Sequence, residues 1–93
     1  MFTGCLEVHL KIEASMSLKD KRMVIKSLKD KLKARFNVSV AETAEHDKWQ
    51  VGVLGMAFVS ESEGGARKEA QNALDFLYDT FDIEVTDHSL TIV

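Results

Sequence analysis

The chain is expected to fold as one α+β domain of split-βαβ type, ordered β-α-β-β-α-β, with an antiparallel sheet and two helices on one face. Three observations predict this. Short segments at the start, middle and end of the chain are rich in alternating apolar or β-branched residues, as in strands. Two longer segments each carry one apolar stripe at helical spacing. No proline and no Ser/Gly-rich or repetitive stretch interrupts the 93 residues, so a single domain spanning 1–93 is predicted.

The first strand is read from Cys5 to Ile12, where Leu6, Val8, Leu10 and Ile12 alternate with polar neighbours. Ser17 stands three residues before Asp20 and suits a helix N-cap, with the carboxylate reaching back. On a helical wheel Leu18, Val24, Ile25, Leu28, Leu32 and Phe36 share an arc of about 120°. The β-branched stretch from Asn37 to Thr43 and the apolar run from Trp49 to Val59 read as a hairpin joined by a polar loop. The third strand is apolar on both faces, Leu54, Met56 and Phe58 on one, Val51, Val53 and Val59 on the other, so it belongs in the sheet centre. The periodicity leaves open which row meets the helices. Gly64 and Gly65 punctuate the chain before a second helix whose stripe is Ala66, Ala70, Ala73, Leu74, Leu77 and Phe81. A last strand ends at Leu90 and Ile92, with a kink predicted at Asp87 to Ser89.

Charge is distributed unevenly. From Ser17 to Phe36 eight cations face two acids, a local +6, whereas the whole chain carries −3. Lys19, Arg22, Lys26, Lys29 and Lys33 occupy an arc of about 80° beside the apolar stripe, extending about 21 Å along the axis. Lys19, Lys21 and Arg22 crowd the first turn, where the helix dipole disfavours cations, so helix stability is not their evident purpose. These six residues are the predicted contacts to a nucleic-acid backbone. A plain solvated helix face, with long stems covering apolar surface, is the alternative.

The second candidate surface is the sheet face away from the helices. Strand one offers it Cys5, Glu7, His9 and Lys11, and the free row of strand three offers apolar side chains, which suits protein interaction or a homodimer.

Enzymatic signatures are weak. Cys5 and His9 are about 13 Å apart along a strand, too far to share an ion, and His46 and His88 lie in polar loop-like surroundings. Gly64 and Gly65 lead into Ala66-Arg67-Lys68, without the spacing of a P-loop. An acylphosphatase-type phosphate loop has no counterpart between Ile12 and Arg22. Sheet-face stacking of RNA bases lacks aromatics on strand one. No catalytic residue, cofactor or metal is predicted. The apolar runs are too short for a membrane span, the amino terminus has no signal-peptide pattern, and a lone cysteine forms no internal disulfide, so a cytoplasmic location is expected.

The segment Ser17-Leu18-Lys19-Asp20-Lys21-Arg22, continued to Leu32, joined to Phe36-Asn37-Val38-Ser39-Val40-Ala41-Glu42 and Leu54-Gly55-Met56-Ala57-Phe58-Val59-Ser60, resembles the YlxP-like bacterial family, domain of unknown function 503. The resemblance covers nearly the whole chain. It implies a ferredoxin-like fold and no particular activity. Genes of that family often lie near those for ribosome maturation and translation initiation factors, so the resemblance implies RNA or a ribosomal subunit as partner.

Overall fold

A computed structural model describes all 93 residues. The elements are β1 (Phe2–Lys11), α1 (Leu18–Arg35), β2 (Ser39–Ala44), β3 (Val51–Ser60), α2 (Glu63–Tyr78) and β4 (Glu84–Ile92). They form a four-stranded antiparallel sheet in the order β2-β3-β1-β4. This is the ferredoxin-like arrangement that the element order and the resemblance implied, with β1 and β3 in the centre. β1 starts at Phe2 rather than Cys5, because Phe2, Thr3 and Gly4 pair with Ser60, Val59 and Phe58.

One core lies between the sheet and both helices. Leu6, Val8 and Leu10 of β1 and Leu54, Met56 and Phe58 of β3 meet Ile25, Leu28 and Leu32 of α1 and Ala70, Ala73, Leu74 and Leu77 of α2. The open question about β3 is thereby answered: the Leu54, Met56, Phe58 row faces the helices. Small residues set the approach of α2, since a side chain at Gly4 would stand 3.2 Å from the Ala66 carbonyl oxygen. The alanine stripe is what lets that helix sit so close to β1.

Helix ends follow the chain's polar chemistry. Ser17 caps α1, its hydroxyl accepting from the Asp20 N–H at 3.0 Å, while the Asp20 carboxylate accepts from the Met16 N–H, also at 3.0 Å. Ser62 caps α2 by accepting from the Gly65 N–H at 3.0 Å. The glycine pair is therefore inside the first turn and not before it. Gly65 has no room for a Cβ, which would collide with the Ser60 and Ser62 hydroxyls.

Two expectations need correcting here. Phe81 is not part of the α2 stripe: the helix ends at Tyr78, and Phe81 is 96% exposed in the turn beyond it. A wheel extended past the end of a helix has no physical meaning, and here the C-cap at Asp79 turns the chain away. The irregularity in the last strand falls at Thr86, one residue ahead of the predicted kink. His9 pairs with Asp87 and Leu10 with Val85, leaving Thr86 as the extra residue of a bulge.

Candidate functional site: a basic flank on the first helix

The cations of α1 divide into two sets by where the helix turns them. Lys21 projects from the core side and is 1% exposed. Its ammonium stands 2.9 Å from the Glu42 carboxylate and donates to the carbonyl of Lys48 at 2.6 Å and to that of Glu45. Gly52 lies beside this pair, and a Cβ there would be tightest against Ile25 Cδ1, at 3.3 Å. The assignment of Lys21 to a nucleic-acid surface is therefore corrected: its charge is spent inside the protein, holding the β2–β3 loop to the first turn of α1. The wheel carries the signal for this. Lys21 falls between Leu28 and Leu32 in the middle of the apolar arc, where a solvated lysine has no place.

The other five predicted residues remain outside. Lys19, Arg22, Lys26 and Lys33 are exposed and Lys29 is partly so. Among them only Lys26 is in an ion pair, with Asp30 at 3.1 Å. Both partners are well exposed, so the pair contributes little and leaves the cation available. The opposite side of α1 carries Met23, Val24, Ser27 and Lys31, which share a cleft with Thr80, Asp82 and Ile83 of the α2–β4 connection. The ridge consequently faces away from α2, along the outer edge of the sheet beside β2.

Acidic residues collect on the far flank. Asp75 and Asp79 at the end of α2, and Asp82, Glu84 and Asp87 in and before β4, are all exposed. The molecule is electrically two-sided, and the uneven charge of the sequence becomes an uneven charge in space.

The residues predicted for the open sheet face are found there. Cys5, Glu7, His9 and Lys11 lie opposite Ala57, Gly55, Val53 and Val51 of β3. Cys5 is a free, exposed thiol. His9 Nε2 is 3.0 Å from Glu7 Oε1, and both side chains are about half exposed, at 43% and 54%. The remaining histidines are engaged locally: His46 Nε2 lies 3.0 Å from the Glu42 carbonyl oxygen, and His88 meets Tyr78 edge-on at 6.4 Å. Glu42, near the end of β2, has its carboxylate paired with Lys21.

The β2–β3 loop carries one group of altered acidity. The Glu45 carboxylate, 2.9 Å away, hydrogen-bonds and attracts Lys48, raising its pKa above the ordinary 10.5. This contact helps the loop below that value and is lost only as pH rises through the raised one.

A four-stranded antiparallel sheet with two helices on one face in the order β-α-β-β-α-β defines the class as a small α+β domain of ferredoxin-like type. No helix is long and apolar enough to cross a membrane. The chain belongs to the family described as "Protein of unknown function (DUF503)", whose model matches residues 3–90. It is 37% identical over 83 residues to the uncharacterized protein YlxP of Bacillus subtilis (strain 168), a match covering 89% of this chain and 90% of that protein.

Proposed function

We propose that this protein is a non-enzymatic binding module that takes the phosphate backbone of RNA, on its own or at a ribonucleoprotein surface, along the outer flank of α1. The observation that carries this reading is the ridge itself. Five cations line one side of an 18-residue helix, with Asp30 the only acid in an ion pair with them. Their span of about 21 Å is that of several consecutive phosphates, and each contact releases condensed counterions. Lys19 and Arg22 in the first turn are disfavoured by the helix dipole, so the stability of α1 does not call for them there.

The test is binding to a single-stranded RNA as a function of salt, together with co-sedimentation with ribosomal subunits at two salt concentrations. If all five residues contact phosphates, log affinity should fall with log salt at a slope of about −3.5. Replacing Lys26, Lys29 and Lys33 by Gln should reduce the slope to about −1.4 and leave the fold intact. A salt-independent affinity, or an unchanged affinity in the triple variant, would sink the proposal.

A further inference from the structure

Antiparallel sheets with one face on solvent usually alternate apolar residues inward with polar and charged residues outward. On the open face here the outward row across the middle reads Ser39, Ala57, Cys5, Thr91, in register across all four strands. Beyond it lie Val59, 56% exposed, and Thr3. None of these is charged, although 29% of the chain is. Glu7, His9, Lys11 and Asp87 gather toward the opposite end of the same face. A shallow depression of about 470 Å³ lies over the uncharged row and reaches Glu7, with Gly55, Ala41, Thr43 and Ala57 around it.

We infer that this open face is the interface of a symmetric homodimer, sheet against sheet, with the twofold axis running parallel to β1 and β3 between them. A second copy is the occupant that the geometry selects. Twisted sheets pack face to face with their strands within about 30° of each other, and a partner of the same twist and the same small side chains allows close approach. The axis decides the electrostatics. A rotation about the strand direction keeps each end of the face on the same end of its partner, so the uncharged zone covers the uncharged zone. It also lays the β2 edge of one copy over the β4 edge of the other. Cys5 of one protomer then sits over Ala57 of its partner, and Glu7 over the Gly55 depression. The Glu7 carboxylate enters this interface with His9 already 3.0 Å away.

The area is sufficient for a reversible dimer. Strands of ten, six, ten and nine residues, at about 3.3 Å per residue and about 4.8 Å between strands, cover roughly 550 Å² per copy in the plane of the sheet. Twice that, about 1,100 Å², is the size of a weak, reversible interface.

Sedimentation equilibrium across a wide concentration range tests the inference, and is expected to show a monomer–dimer equilibrium. Ala57→Lys places a charge against the partner's β1 and should leave only monomer. Thr91→Lys, on an edge strand and exposed, provides a second probe that does not depend on Ala57 tolerating a long side chain. Both variants should retain the wild-type circular dichroism. A short bis-maleimide should link Cys5 to Cys5 of the partner in the wild type and fail in either variant. A monomer at every concentration, or a dimer that both lysine variants leave intact, would overturn the inference. The Lys26, Lys29, Lys33 to Gln variant should dimerise as the wild type does, so loss of RNA binding and loss of the dimer are separately readable.

Discussion

Lys21 shows how one residue can be misjudged by type and correctly placed by position. As a lysine in a lysine-rich helix it belongs with the surface. Its wheel angle, between those of Leu28 and Leu32, puts it in the core stripe. The ammonium's hydrogen bonds go to two loop carbonyls, and Glu42 Oε2 faces it as a counter-charge without a hydrogen bond of its own. Removing only the cation strands the carboxylate and the Lys48 carbonyl, while the Glu45 carbonyl keeps the Lys48 N–H at 3.1 Å. Lys21→Met should therefore cost about 3–5 kcal/mol of stability, measured by urea denaturation. Adding Glu42→Met should recover a substantial part of it, since a buried ion pair is often worth no more than the apolar groups that replace it. A single variant as stable as the wild type would contradict this account of the loop. The ridge residues were legible because a lysine row beside an apolar stripe is a one-dimensional pattern. The role of Lys21 was not, because its partners are 24 and 27 residues away.

At the scale of elements, the strands and helices were legible in outline and their irregularities were not. Alternation in Leu6 to Ile12 and the stripe in α1 depend only on which residues face the core. A bulge depends on the partner strand, and both bulges here escaped or were displaced. In β2, Glu42 pairs with Leu54 and Ala44 with Val53, so Thr43 is the extra residue. Its methyl lies over Gly55: a Cβ there would come within 2.6 Å of Thr43 Cγ2. This explains a glycine in the middle of a central strand, where one otherwise weakens the sheet. Gly55→Ala should destabilise by about 1–2 kcal/mol through overpacking. The double variant with Thr43→Ser, which lacks that methyl, should regain most of it; equal thermal unfolding of wild type and Gly55→Ala would refute the contact. The Ser17 cap is a simpler case, already visible as a spacing of three. Ser17→Ala should cost about 1 kcal/mol in the same assay.

The whole molecule measures 41 × 21 × 18 Å, with its densest row of cations along α1 and a cluster of acids from the end of α2 into β4. At physiological ionic strength the screening length is about 8 Å. An approaching polyanion then senses the near flank and not the far one, and a chain of net charge −3 behaves locally as a base. At 0.01 M salt the screening length grows to about 30 Å, longer than the molecule is wide. The acids are then felt together with the ridge, and the net repulsion works against electrostatic steering. The rate of association with RNA is thus expected to pass through a maximum as salt is lowered, instead of rising throughout as it does for a uniformly basic protein. Stopped-flow measurement across that range would show the turning point. The same two-sidedness makes the screening length of the medium a selector of which face the protein presents to its surroundings.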